Sequence, residues 1–468
     1  IFSRNNLIIL DTTEMEEILR KQREYFLSGA TLPIDARRDA LKKLYEAIEK
    51  NVEELQNALK EDLDKSATES YMCEIGLSLS DITYTLRHLK GWMRPERHHT
   101  SLHNFPARSR VLKEPYGVAL IMSPWNYPFL LLISPLIGAL AAGNCCVLKP
   151  SELAPATAKA ITRMIEDAFP PEFVTVVNGG VEESQALLAL DFDYIFYTGS
   201  VGVGKIVMEK AAKHLTPVTL ELGGKSPVII TRSADLRLSA RRIVFGKYLN
   251  AGQTCIAPDY VLCEQAVHDD FVKMLMEELV KMFGAHPLDN PDYGKIINRR
   301  HFDRVVRLID AEKVIIGGEL QENRLRIAPT VMDRVVATDA VMQEEIFGPI
   351  LPIITVSNVD EAFRFIQSHP HPLALYLFTK DKEVERQFMT GLQFGGGCVN
   401  DVISQITIHN MPFGGIGESG MGAYHGKDSF LTFTHRKTVV ARATWLDPSL
   451  RYQPYKEWKD KFIRRYLK

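Results

Sequence analysis

From Gly117 to Leu148 the chain carries no charged side chain. An uncharged run of this length is either a membrane span or a segment buried on all sides of a core. Pro124, Pro128 and Pro135 interrupt it, as do the polar or flexible Asn126, Gly143 and Asn144. A span would need one unbroken helix, so the segment reads instead as strand, loop, buried helix and strand inside an α/β core. The rest of the composition agrees: 468 residues, 46% apolar and 24% charged, with a formal net charge of -2. That length predicts more than one lobe, and the balanced charge excludes a nucleic-acid partner of the usual basic kind.

Six cysteines, Cys73, Cys145, Cys146, Cys255, Cys263 and Cys398, show neither metal-site spacing nor the density of a disulfide framework. They are expected to be reduced thiols. The opening residues "IFSRNNLIIL" hold a short apolar run and no small-residue cleavage site, so no secretory leader is read there. A cytoplasmic setting is the expectation.

Charged, helix-period patterns fill the first hundred residues; in "RRDALKKLYEAIEKNVEELQNALKEDL" the apolar positions are Leu41, Leu44, Ile48, Val52, Leu55 and Leu59. Short apolar runs then alternate with helical stretches: "GVALIMS", "CCVLKPSE", "FVTVVNGG", "YIFYTGS" and "PVTLELGG". This alternation predicts a largely parallel sheet with ligand sites beyond the carboxyl ends of its strands. After Gly224 a second series, "SPVIIT", "DYVLCE", "KVIIGGE" and "LALYLFT", with helices at 268–283 and 359–367, predicts a second α/β lobe. The glycine-rich "LQFGGGCVND" and "MPFGGIGESGMG" read as cleft-lining loops.

Several short stretches carry chemistry, and each has a plainer reading beside it. "FYTGSVGVGKIVM" joins a strand to a helix, where backbone amides and the positive helix end suit a pyrophosphate. Its Gly199, Gly202 and Gly204 are displaced from the usual dinucleotide fingerprint, and close packing would also explain them. Lys149 and Glu152 of "VLKPSE" stand where ribose hydroxyls are bound, or simply where a strand exits into a capped helix. Cys255, in "NAGQTCIAPDY", has a small, polar approach unlike the apolar surroundings of Cys145, Cys146 and Cys263. A thiolate nucleophile needs a base and a donor for a developing oxyanion. Glu221 of "ELGGKSP" and Asn126 of "PWNYP" offer them, although a salt-bridged acid and an Asx turn are the plainer readings.

Together, "PWNYP", "KPSE", "YTGS", "ELGGK", "GQTC", "EEIFGP" and "PFGG" make the chain resemble the aldehyde dehydrogenase superfamily, from about residue 15 to the low 440s. Within it the chain is most similar to the class 3 group, which includes fatty and aromatic aldehyde dehydrogenases. The resemblance implies two Rossmann-like lobes, dinucleotide-binding and catalytic, with a small β oligomerisation extension. It implies Cys255 as nucleophile, Asn126 and the Cys255 N–H as oxyanion donors, and Glu221 as the base that activates water. For the cofactor, Lys149 and Glu152 would take the adenosine ribose, Gly199, Ser200 and Gly204 the pyrophosphate turn, and Glu345 and Phe347 the nicotinamide end. Glu345 is also a candidate for a share of the acid/base work. NAD is expected, with NADP allowed. Tyr197, where the family has phenylalanine, and the extra Gly202 depart from the pattern without removing a catalytic group.

The expected domains are 1–222 for the dinucleotide, with a strand excursion near 98–115, then 223–428 for catalysis and 429–446 for oligomerisation. The remainder, 447–468, is a basic tail with Tyr455, Trp458, Phe462 and Tyr466 at helical spacing. It reads either as a helix packed on the protein's own surface or as one that touches anionic membrane or gates the substrate funnel. A homodimer and a medium- or long-chain aliphatic or aromatic aldehyde are expected from the resemblance. Two other functions fit the fold: transfer of the acyl group to coenzyme A, which the presence of Glu221 argues against, and a non-catalytic structural role.

Overall fold

The computed structural model describes residues 10–101 and 104–467, apart from the side chain of Tyr466. The leader reading falls mostly on residues 1–9, outside the described residues, as does the Tyr466 side chain of the tail.

The uncharged run forms strand Val118–Met122, the loop around Asn126, helix Leu130–Ala142 and strand Cys145–Lys149. Every residue of both strands and of the helix is buried, which explains the missing charges. No described helix is long and apolar enough to cross a membrane. The two strands pair in parallel and lie within a six-stranded sheet. Its order is Gly420–Met421, Val218–Glu221, Tyr194–Thr198, Val118–Met122, Cys145–Lys149, Val174–Val176. All pairs are parallel except the short edge strand Gly420–Met421, which runs antiparallel to Val218–Glu221.

A second sheet has seven strands, in the order Val314–Ile316, Thr330–Met332, Ile350–Val356, Tyr260–Glu264, Pro227–Ile230, Ala374–Phe378, Gly396–Val399. Only Val314–Ile316 pairs antiparallel. The helices read at 268–283 and 359–367 are present as His268–Phe283 and Val359–Gln367. Two glycine-rich stretches read as loops contribute edge strands, Gly396–Val399 and Gly420–Met421. The cause is crowding: a Cβ on Gly397 would lie 2.2 Å from the Leu375 carbonyl oxygen, and one on Gly420 2.2 Å from that of Leu220. Glycine there serves close strand approach rather than a flexible turn.

Both sheets belong to one densely packed unit, which runs to Trp92 and resumes over Pro115–Thr434. The amphipathic helices Ile34–Lys50 and Val52–Leu63 bury Leu41, Leu44, Ile48, Leu55 and Leu59 completely, while Val52 is half-buried. A second unit comprises Met93–Glu114 and His435–Lys468. It contains a three-stranded sheet ordered Glu96–His98, Ala107–Pro115, Thr434–Arg442. Glu96 ties two of these strands, accepting from Arg436 at 2.6 Å and facing Lys113 at 3.4 Å. The tail ends in helix Glu457–Tyr466, in which Lys459 is buried and donates to the carbonyls of Ser449 and Tyr452. Tyr455, Trp458 and Phe462 are each more than half exposed.

Candidate active site

Cys255 lies in a turn after helix Leu236–Tyr248, which ends in a 3₁₀ turn, Leu249–Gly252, that reverses the chain. Asn250 and Ala251 are both at φ 51 and Gly252 is at φ 76. A Cβ on Gly252 would sit 2.2 Å from the Gly348 carbonyl oxygen, so only glycine lets the cysteine loop approach the "EEIFGP" loop. All six cysteines are free. Burial first, then the charges of Glu345 and Glu221, push the Cys255 thiol up to about 12, while the backbone N–H groups of Cys255 and Ile256 oppose that rise.

Around this thiol lies a cavity of about 290 Å³. Asn126, Gly199, Ser200, Glu221, Glu345 and Phe347 line it together with Cys255. Seven of the ten residues singled out in the sequence therefore share one space, and Lys149, Glu152 and Gly204 are not in its lining.

Asn126 is buried at 2% exposure, and one of its Nδ2–H groups donates to the Gln253 carbonyl at 3.0 Å. Its backbone oxygen accepts from Lys65 Nζ at 2.9 Å and from Asn250 Nδ2 at 2.8 Å. Tyr127 Oη shares a hydrogen bond of 2.7 Å with Thr254 Oγ1, a third tie between the two loops.

Glu221 ends the strand Val218–Glu221, and its main chain is held on both sides. Gly199 N–H donates to the Glu221 carbonyl at 3.0 Å, and Leu222 N–H donates to Ser419 at 3.1 Å. The carboxylate itself is buried, and neither Oε1 nor Oε2 has a hydrogen-bond partner. Burial raises its pKa well above the usual carboxylate value. Asn126 Oδ1 and Thr198 Oγ1, from residues in the same lining, are also buried without partners. Buried polar atoms are nearly always paired, and these four belong to residues that line one cavity.

The loop bearing Glu345 and Phe347 is fastened by Lys225 and Asp259. Lys225 Nζ donates to Asp259 Oδ2 and to the carbonyls of Val341 and Glu344, at 3.0 and 2.8 Å for the carbonyls. Asp259 Oδ1 accepts from Ile346 N–H at 2.9 Å. From the other side, Arg304 donates to the carbonyls of Glu345 and Ile346 at 3.2 and 2.7 Å. A Cβ on Gly223 would meet Glu345 Oε2 at 2.1 Å. Burial and nearby Asp259 raise the Glu345 carboxyl to about 8, against the Gly224 N–H, Lys225 and Arg304.

Beyond the carboxyl end of strand Tyr194–Thr198, Ser200 caps the twelve-residue helix Val201–Ala212, accepting from Val203 N–H at 3.4 Å. Gly204 packs on the sheet: a Cβ there would lie 2.6 Å from Leu222 Cδ2. The Tyr197 hydroxyl would stand 2.2 Å from a Cβ on Gly199, so a side chain at 199 would displace the tyrosine ring. Lys149 Nζ lies 3.8 Å from Glu152 and donates to the Pro150 carbonyl at 2.8 Å. Burial lowers the Lys149 pKa, with Glu152 opposing.

Trp125, His301 and Arg304 also line the cavity and escaped the reading of the sequence. Trp125 packs its ring 4.9 Å from His301 and 5.3 Å from Phe347, centroid to centroid. Burial and the adjacent Arg304 and Arg300 bring the His301 pKa down to about 4, which keeps the ring neutral. Trp125 sits inside "PWNYP" and was within reach; His301 and Arg304 come from an ordinary charged helix, Arg299–Val306, with no local signature.

The family model described as "Aldehyde dehydrogenase family" matches residues 9–439. The chain is 44% identical over 456 residues to 4,4'-diaponeurosporen-aldehyde dehydrogenase of Staphylococcus aureus, covering 97% of this chain and 99% of that one. It is 44% identical over 447 residues to aldehyde dehydrogenase family 3 member A2 of Macaca fascicularis, covering 95% and 92%. Among solved structures, a substrate-bound Staphylococcus aureus AldH superposes with a TM-score of 0.95 at 44% identity, over 97% of this chain and 99% of that one. An indole-3-acetaldehyde dehydrogenase in complex with NAD+ gives 0.86 at 26% identity, over 93% and 90%.

Proposed function

This chain belongs to the aldehyde dehydrogenase family, and from that premise we propose that it oxidises medium- or long-chain aliphatic or aromatic aldehydes to carboxylic acids, using NAD or, less readily, NADP. The observation that carries this reading is the single cavity in which a thiol, an amide and an unpartnered buried carboxyl meet. The substrate class draws on the relatives: the staphylococcal protein acts on 4,4'-diaponeurosporen-aldehyde, and a structural neighbour on indole-3-acetaldehyde.

The residues present fit a dinucleotide. A capped helix N-terminus opens at the cavity beside Gly199, and nothing lies within 4 Å of a Cβ on Gly202, which leaves room for a pyrophosphate on the backbone. Lys149 and Glu152 would hold the adenosine ribose, and Glu345 and Phe347 the nicotinamide end. The Glu152 carboxylate repels a 2'-phosphate, hence the preference for NAD. The chemistry that such a cofactor supplies when bound is acceptance of a hydride.

The chain's own residues do the rest. Cys255 Sγ, as thiolate, adds to the aldehyde carbon. The oxyanion that forms is stabilised by the Cys255 N–H and by the Asn126 amide, which has a second N–H beyond the one given to Gln253. Oxidation of that adduct leaves a thioester on Cys255. Glu221 then takes a proton from water, whose oxygen adds to the thioester carbon and expels the thiolate, releasing the carboxylic acid. Trp125 and Phe347 wall the site with apolar surface, which strengthens these polar contacts.

At larger scale we assign 1–222 to dinucleotide binding, 223–428 to catalysis, and the strand near 98–115 with 429–446 to pairing of two subunits in a homodimer. The basic tail, 447–468, touches anionic membrane through its exposed aromatic residues while the body stays in the cytoplasm.

The test is absorbance of reduced nicotinamide with hexanal or benzaldehyde and NAD or NADP, with Cys255→Ala alongside and without coenzyme A. Accumulation with the wild type alone is the expected result. Accumulation only after coenzyme A is added assigns acyl transfer to coenzyme A instead; none under either condition contradicts the reading.

A further inference from the structure

Lys65 and Glu74 form an ion pair of 2.5 Å in which both side chains are 0% exposed. Burying two charges costs free energy that their attraction repays only with good geometry and further hydrogen bonds, so a buried pair is rarely kept for stability alone. Here the further bonds converge on one short segment. Lys65 Nζ donates to the Asn126 carbonyl at 2.9 Å and lies 4.0 Å from the centre of the Tyr127 ring. Glu74 Oε2 accepts from the N–H groups of Phe129 and Leu130, at 3.0 and 3.2 Å, where helix Leu130–Ala142 begins. Four of the five residues from Asn126 to Leu130 thus rest on one ion pair.

The same stretch of chain also holds the cysteine loop. Glu69 Oε1 accepts from Asn250 N–H at 2.9 Å, and Asn250 Nδ2 donates to the Asn126 carbonyl that Lys65 holds. Between Glu69 and Glu74 the chain makes a π-helical turn, Tyr71–Ile75, a local widening that recurs at functional sites. Two loops that must face each other across a reacting carbon are therefore indexed to residues 65–74, which do not line the cavity.

We propose that Lys65 and Glu74 are positioning residues for the oxyanion donor: the pair fixes the backbone of Asn126 so that its side-chain amide meets the oxygen of the tetrahedral adduct on Cys255. This rests on the assignment of Cys255 as nucleophile and Asn126 as donor. A displacement of a fraction of an ångström is enough to weaken such a donor. Removing Lys65 therefore acts through Asn126 and is silent where Asn126 is already gone.

The experiment is a double-mutant cycle over wild type, Lys65→Met, Asn126→Ala and the double variant. The readout is acylation of Cys255 by 4-nitrophenyl acetate, followed as nitrophenolate release, beside NAD-linked oxidation of hexanal. Ester acylation passes through the same oxyanion without the cofactor. Lys65→Met is expected to slow acylation by about 100-fold, the loss typical of an oxyanion donor, with the KM for NAD changed by less than about 3-fold. In the Asn126→Ala background the same change should cost less than about 2-fold.

An equal loss in both backgrounds, or a Lys65→Met rate within about 3-fold of wild type, overturns the proposal. Because Lys65→Met strands a buried carboxylate, Lys65→Met/Glu74→Gln is made as well; it removes both charges, keeps an acceptor for Phe129 and Leu130, and should fold. Wild-type rates from that folded variant would also overturn the claim. If wild type acylates but never reduces NAD or NADP with any aldehyde, the functional reading fails while the cycle still decides the positioning claim. If Cys255 does not acylate at all, both fall.

Discussion

Cys255 sits where its surroundings oppose ionisation: burial, Glu345 and Glu221 all favour the thiol over the thiolate. The sign of a pH effect follows from Glu345, whose carboxyl is raised to about 8. Below that value Glu345 is neutral and exerts no repulsion on the thiolate; above it the carboxylate forms and holds the thiol protonated. Alkylation of Cys255 by iodoacetamide should therefore climb with pH, and climb less steeply above pH 8 in wild type than in Glu345→Gln. Below that pH the two proteins should react alike. Parallel profiles throughout would show that Glu345 does not reach the thiol. At the cofactor end, Glu152→Gln removes the charge set against a 2'-phosphate, and kcat/KM for NADP relative to NAD should rise by about 10-fold; an unchanged ratio removes Glu152 from the ribose site. Cys255, Glu221 and Asn126, which line one cavity, could be singled out because each lies in one of the short motifs that carry the family resemblance; their residue types alone left a salt-bridged acid and an Asx turn open. Lys65 and Arg304 were not: they act on backbone carbonyls supplied by distant segments, and nothing beside them in the sequence marks that.

At the level of elements, the catalytic geometry depends on loops that touch backbone to backbone. Gly252 and Gly348 make one such contact, with positive φ at Gly252 as well. Gly252→Ala should destabilise the protein by about 2 kcal/mol or more in urea denaturation and lower turnover at the same time. An unchanged midpoint would mean that the loops separate without cost. The strands and helices of the first sheet were readable because apolar runs and helix-period stretches alternate without ambiguity from Gly117 to Glu221. The edge strands Gly396–Val399 and Gly420–Met421 were not, since glycine suppresses the side-chain pattern that identifies a strand. What makes them strands is backbone pairing with Ala374–Phe378 and Val218–Glu221, a fact of tertiary structure.

For the whole molecule, the smaller unit exposes Phe105, Val440, Trp445, Tyr455, Trp458 and Phe462. Light scattering at micromolar protein should give the mass of a dimer; a monomer removes the pairing role from this unit. Deleting 447–468 should abolish sedimentation with phosphatidylserine vesicles at low salt while leaving hexanal oxidation intact, and full-length protein that ignores such vesicles contradicts the membrane role. The central claim is that an acyl group resides on Cys255 until Glu221 directs water to it. Intact-mass and peptide mass spectrometry of Glu221→Gln, mixed with NAD and hexanal and quenched in acid, tests it directly. A hexanoyl thioester on the peptide carrying Cys255, formed with one burst of reduced nicotinamide and little turnover, is the predicted result; undiminished turnover with no adduct, or an adduct on another cysteine, would contradict it.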